Sequence, residues 1–343
     1  MKPNINLFAF VTVFILLSGN SLKSQDIAIV LQKDTVIENV STVKVSGYYS
    51  KIQINRSNNA NVKLQAVLKA SDPEGYNVQT VISNNILDIK VVFPNEGWNS
   101  HAGELTLYIP DSVKVDVQTT SGYCTVYDIS PGELNISTKS GKININKCKG
   151  NVLISTASGS VHLDEMEGKV NVKTKSGNIY ILRALGDVTT RTTLGSTHLE
   201  NITGNINSES TSGKQDMDNI KGDIVARAIS GPVKISLADG TIRIFGGTGD
   251  VQLFQTTGIL DIKTTRGNQS GTRISLTGNS RFTSTEGKIK MRFNMPKDLI
   301  TYQLTSERAF VFALGKSKKK KLNIGKGKIL VEANSTTGAQ AFY

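Results

Sequence analysis

Cysteine is nearly missing from this chain: Cys124 and Cys148 are the only two in 343 residues. Neither lies near residue 24, which argues against a lipid-anchored N-terminus. Aromatic residues make up 6% of the chain, too few to interleave with basic residues as a nucleic-acid surface requires. Beyond residue 17 no apolar run approaches the roughly 20 residues of a membrane helix. No phosphate-cradling glycine loop opens a helix, and no convincing Ser-His-Asp or Cys-His arrangement is present.

The start of the chain reads differently from the rest. Lys2 is followed by an apolar run over residues 7–17 and a small, polar stretch over 18–25, the three-part pattern of a secretory signal. Residues 1–24 are therefore expected to be removed, with export to the periplasm, the cell surface or the medium; a buried N-terminal helix is the alternative. The formal net charge of +12 falls to +10 without Lys2 and Lys23. That charge is spread along the chain except at Lys316 and Lys318 to Lys321, a run that reads as a solvated loop tip.

Glycine recurs every nine residues from Gly132 through Gly141, Gly150 and Gly159 to Gly267, and resumes at Gly278 and Gly287 after a two-residue insertion. The second and fourth positions after each glycine are aliphatic in most units: Ile143 and Ile145, Val161 and Leu163, Val233 and Ile235. This alternation marks short strands with one buried face, and glycine with small polar neighbours marks the turns between them. The units are of two kinds. One ends in a Ser-Gly turn, as in Thr156-Ala157-Ser158-Gly159; the other carries Cys148, Met166, Ala184, Ile202, Ile220 or Ala238 two residues before its glycine.

The repeat is thus an 18-residue coil with two strands and two unlike corners. The fold expected is all-β, a parallel β-solenoid whose coils stack at ~4.8 Å. The calcium-loaded β-roll does not fit, because Val251 stands where its aspartate would follow Gly246-Gly247-Thr248-Gly249. The cysteines fall at different points around the coil, out of reach of the ~7 Å limit for a disulfide, and are expected to be buried thiols.

The passage Leu105-Thr106-Leu107-Tyr108-Ile109-Pro110, then residues 113–122 and the repeated Thr-x-Ser-Gly turns down to Ser335-Thr336-Thr337-Gly338, resembles the DUF4097 family of bacterial β-solenoid proteins, labelled as adhesins. The likeness covers residues 40–340. It implies a secreted or envelope-associated β-helix with an adhesive role, and no catalytic residue is carried over from it. A right-handed solenoid follows from the resemblance and from the usual hand of parallel crossovers. The organisation expected is a signal peptide over 1–24, an irregular N-terminal β region and cap over 25–118, regular coils over 119–300, and C-terminal coils and cap over 301–343, with a loop from Gly315 to Lys321 protruding.

Functional candidates lie on the outward face. One column contains Asn144, His162, Tyr180, His198, Asp216 and Lys234; the next contains Asn146, Asp164, Leu182, Glu200, Asp218 and Ser236. His198, Glu200, Asp216 and Asp218 then sit on adjacent coils as a candidate metal or acid/base cluster. The bland alternative is a solvated face whose opposed charges soften stacking repulsion. Tyr180 and Trp98 are candidate ligand contacts, with His101, Tyr48 and Tyr49 as further stacking groups, against ordinary loop and cap packing. The Thr-x-Ser ladders would suit an ice-binding array only if they faced outward; the alternation turns Thr138, Thr156 and Thr174 inward.

Thr190, Thr197, Ser208 and Gln215 bring polar groups into the expected core, where Gln215 should bond a threonine, the backbone or a trapped water. Between Gly132 and Gly267 no corner carries an inserted residue, which leaves no loops to wall a catalytic cleft. The function expected is a non-enzymatic adhesin or envelope scaffold with a cell-surface glycan or envelope protein as partner and no cofactor. The alternative is a carbohydrate-active enzyme or glycan-binding module.

Overall fold

The computed structural model describes residues 28–343 apart from 49, 71–73 and 95–100; the expected signal segment lies outside the described residues. The chain divides into two compact units, one up to His162 and one from Leu163. Among the described residues strands predominate, with one short 3-10 turn at Lys297–Leu299.

In the second unit the strands form two parallel stacks. One runs Val170–Thr174, Val188–Thr192, Ile206–Ser210, Ile224–Ala228, Ile242–Gly246 and Leu260–Thr264. The other runs Ile179–Leu185, Thr197–Thr203, Gln215–Lys221, Val233–Asp239 and Val251–Phe254. Register partners differ by 18 residues, as Thr197↔Gln215 and Ile206↔Ile224 show. The chain is a parallel β-solenoid with coils of about 18 residues, as the glycine period predicts. Its core is the set of aliphatic positions read from that period, among them Ile179, Ile181, Leu199, Ile224 and Ile235, all fully buried.

The two corners are built differently. At the Ser-Gly corner a Thr or Ser side chain turns inward and locks the turn. The hydroxyl oxygens of Thr156, Thr174 and Thr192 accept the N–H of the glycine three residues on, at 2.8–3.0 Å. Ser210 and Thr264 instead donate to the carbonyls of Gly213 and Gly267. These hydroxyls are buried, as the alternation predicts, so this column faces the core rather than solvent.

At the opposite corner the glycines Gly186, Gly204, Gly222 and Gly240 hold φ between +133° and +147°. Three residues before them stand Arg183, Asn201, Asn219 and Leu237 with φ of 53–56°, and Glu165, Gln255 and Arg273 hold the same left-handed conformation, at 51–56°, in other coils. That left-handed residue places two successive side chains outward and so returns Met166, Ala184, Ile202 and Ile220 to the core. Strand pairing passes over it: Glu200 pairs with Asp218, and the next pair is Ile202 with Ile220. Beyond three of these corners an Asx side chain ties one coil to the next, with Asp187, Asn205 and Asp223 accepting the N–H groups of Asn205, Asp223 and Thr241 at 2.8–3.1 Å.

The polar core residues are fully buried. Thr190 donates to Ser208 at 2.9 Å, and the Gln215 amide donates to the Arg227 carbonyl at 2.6 Å, the backbone partner foreseen for it. Gln215 Oε1 and Thr197 Oγ1 find no partner among the described residues. Gln269 and Gln340 occupy the same place two residues after a corner glycine and bond backbone carbonyls in the same way.

Both ends depart from sequence order. In the first unit Thr42–Gly47 lies between Ile86–Val92 and Lys114–Ser121, and Ser50–Arg56 lies between His101–Ile109 and Cys124–Ile129. The strands Ile86–Val92 and His101–Ile109 therefore lie on the far side of Thr42–Gly47 and Ser50–Arg56 from the strands that follow them. Antiparallel strands extend it, with Val62–Ala70 joining His101–Ile109 to Ala28–Ile37.

In the second unit Ile329–Ser335 lies between Ser280–Ser284 and Ile300–Ala313. Gln340–Phe342 lies likewise between Ile289–Phe293 and Ile300–Ala313. Outside them Ile300–Ala313 pairs antiparallel with Lys316–Ile324. The lysine run is therefore strand rather than loop. The turn is confined to Leu314 and Gly315, with φ of 50° and 75°, and Lys316 to Lys321 follow on an exposed strand. Edge lysines of this kind discourage further strand addition.

Cys124 and Cys148 are free and buried. Cys124 pairs in register with Ile143 and Cys148 with Ile129, so they stand at opposite ends of neighbouring strands. Burial pushes both thiols up to about 12.

Candidate functional site

The outward face of the second stack places the predicted columns as expected. Tyr180, His198, Asp216 and Lys234 are consecutive register partners, as are Leu182, Glu200, Asp218 and Ser236. The columns then continue past the point where the sequence reading left them. Gln252, Ser270 and Lys290 follow Lys234, and Phe254 and Thr272 follow Ser236. Arg292 stands two residues from Lys290 on the same strand.

His198 and the three carboxylates are neighbours without converging. His198 Nε2 lies 3.3 Å from Glu200 Oε2, and Asp216 is engaged by the Lys214 ammonium at 2.6 Å. The Tyr180 ring stands 6.4 Å from that of His198 at a 55° tilt. Among the described residues no three His, Cys, Asp or Glu side chains form a group that could hold a metal ion. His162, in the first unit, is held below the usual histidine range by burial and by the Lys142 charge, so it is neutral near pH 7. Trp98 and Tyr49 lie outside the described residues, as does the His101 side chain; Tyr48 is exposed.

Two open grooves follow from the outward pattern. The first, about 610 Å³, lies on the other stack, where Arg191, Glu209, Arg227, Phe245 and Lys263 form one column. Glu209 sits between two arginines, 2.6 Å from Arg191 and 3.8 Å from Arg227, and Arg227 lies 5.3 Å over the Phe245 ring. The second, about 520 Å³, is lined by Lys234, Gln252, Phe254, Ser270, Lys290 and Arg292, among others. Arg273 lies 5.3 Å over the Phe254 ring. Sequence reasoning missed this second cluster because its rows are 18 to 20 residues apart, beyond any local motif. The available signal was the same column arithmetic, carried through the two-residue insertion after Gly267.

Coils of about 18 residues, with open grooves on their sheet faces, define a parallel β-solenoid. A family model described as Toastrack DUF4097 matches residues 40–246 and 170–338, and the chain belongs to that family. No curated protein matches it. Among solved structures it is similar to one titled a putative cell adhesion protein from Clostridium sporogenes ATCC 15579. The two are 11% identical, the match covers 91% of this chain and 99% of that one, and the TM-score is 0.21. No helix among the described residues is long and apolar enough to cross a membrane.

Proposed function

We propose that this chain is exported and acts without catalysis, as an adhesin that presents its outward columns to a cell-surface glycan or envelope component. The observation that carries the reading is the second stack itself. Each coil sets the same two side-chain positions on an open face, so binding groups accumulate by repetition, and both grooves are shallow troughs on such faces. A catalytic site needs a walled, water-poor place to make its electrostatics effective. The carboxylates here lie along a solvated sheet, with Glu200 engaged by His198 and Asp216 by Lys214. Export is supported by the charged, apolar and polar thirds of residues 1–25.

The test is binding of the purified chain to a glycan array and to whole envelopes across a salt series. Saturable retention that survives salt and tolerates Asp216→Ala or Asp218→Ala supports an extended binding surface. Retention that vanishes with salt reduces the interaction to basic charge. Turnover of a glycan, lost in either variant while the fold persists, would replace the proposal with an enzyme.

A further inference from the structure

The two outward columns of the second stack change sign along its length. His198, Glu200, Asp216 and Asp218 make an acidic stretch; five register steps after His198 stand Lys290 and, on the same strand, Arg292. Between Lys234 and Lys290 the intervening rows are Gln252 with Phe254, then Ser270 with Thr272. Strand spacing places the Gln252 row and the Lys290 row about 10 Å apart. The small hydroxyl side chains of Ser270 and Thr272 therefore floor a slot between two taller rows. None of the residues lining this 520 Å³ groove is acidic.

Two of the nearby carboxylates are already engaged, and Asp218, the register partner of Ser236, lies outside the groove's lining. Asp216, beside Lys234 in register, faces Lys214, and Asp250, two residues before Gln252, accepts the Asn268 backbone N–H at 2.8 Å and its side-chain amide at 3.1 Å. The Lys234 and Lys290 side chains make no hydrogen bond or ion pair among the described residues, and the Arg292 side chain makes only a ring contact there, 5.4 Å over Tyr343.

We propose that this slot is a binding site for an acidic saccharide. The chemistry is matched group by group. Lys290 and the forked guanidinium of Arg292 meet a carboxylate. The Ser270 and Thr272 hydroxyls and the Gln252 amide meet sugar hydroxyls. Phe254, 41% exposed, offers ring surface to the apolar C–H face of a pyranose.

A nucleic-acid strand would call for several stacking aromatics, and the slot has one. The other groove is less suited to an anion, because Glu209 sits between its two arginines and engages both. The lysine strand Lys316–Ile324 has charge without a floor, an aromatic or a slot, which makes it the control for bare electrostatics. This inference deepens the adhesin reading and rests on it.

The experiment titrates the full chain with a short oligogalacturonate, its methyl-esterified form and polyglutamate at about 0.15 M salt. The oligogalacturonate is expected to bind while the ester does not. Lys290→Gln with Arg292→Gln should weaken it about tenfold or more. Phe254→Ala should weaken the saccharide and leave polyglutamate unchanged, and Lys318→Gln with Lys319→Gln should change nothing. All these side chains are exposed, and circular dichroism confirms the fold of each variant. Equal binding of polyglutamate and oligogalacturonate, an unchanged double variant, or loss through the lysine-strand control would each overturn the proposal. Adhesion to envelopes with no oligogalacturonate binding removes the slot and leaves the adhesin reading standing; the reverse pattern removes adhesion and leaves the slot.

Discussion

At the Ser-Gly corner a Cβ on Gly213 would fall 1.7 Å from the carbonyl oxygen of Gly195, while at the opposite corner Gly222 holds φ at +143° and would place a Cβ 2.3 Å from the carbonyl of Gly204. The first glycine has no need of left-handed freedom; it is required because one coil's backbone lies directly on the next. The second is required by conformation as well as by approach. The corners differ in reinforcement too: Thr192 locks the first from within the coil, and Asp223 ties the second to the coil beyond. Identical residues in a repeat can thus answer to different constraints, and substitution separates them.

The largest effect expected is at the glycines. Gly213→Ala should cost about 3 kcal/mol or more, since neither backbone can yield without moving its neighbours, and Gly222→Ala about 1–3 kcal/mol for strain at positive φ. Urea unfolding of the two variants ranks them, and the reverse order would break the steric account of the Ser-Gly corner. Next, Thr192→Val should cost about 1–3 kcal/mol by leaving the buried Gly195 N–H unpaired, with Thr192→Ser restoring most of it. Asp223→Ala exposes its N–H partner to water and should cost about 1 kcal/mol or less.

The cysteines probe both ends of the coil, with Cys124 two residues after Gly122 and Cys148 two residues before Gly150. Their folded pKa near 12 stands above the ordinary 9.0, so the stability they contribute is complete below pH 9 and is lost as pH rises towards 12. At pH 10 each should have cost about 1.4 kcal/mol. In the native state neither should react with iodoacetamide at pH 8, and both should react once unfolded. A single reactive thiol would mark its corner as the looser one. The smallest effect is a gain. Leu237 holds φ at 53° with its side chain exposed, so Leu237→Asn should stabilise by about 0.5–1 kcal/mol and extend the Asn201–Asn219 carboxamide pair, read as a raised urea midpoint.

The coil, its core positions and the inward threonines were readable because each leaves a periodic trace in residue type. The left-handed column was not, since Glu165, Arg183, Leu237 and Gln255 are no turn formers; strand pairing on either side imposes their conformation. Lys316 to Lys321 hid a strand, because an edge strand exposed on both faces shows no alternation between buried and solvated positions. Of the candidate site, the neighbours His198, Glu200, Asp216 and Asp218 followed from spacing alone. That Asp216 turns to Lys214 did not, being a choice of rotamer. The cationic slot needed the register beyond the insertion between Gly267 and Gly287.

The rearranged order at the C-terminal end bears on how the chain folds. A regular coil finds its partner 18 residues away, but Ser280 pairs with Val331, 51 residues on, after the hairpin of Ile300–Ala313 and Lys316–Ile324 has been laid down. The added loop-closure entropy is only about 1 kcal/mol, too little to matter at equilibrium. In time it matters more. The regular coils can zip from neighbour to neighbour, while the segment ending at Phe342 must find a place between two strands that have already met the solvent. Until it does, the aromatic cluster of Phe282, Phe293, Tyr302 and Phe342 is incomplete, and completing it is the step on which the last stretch of the fold waits.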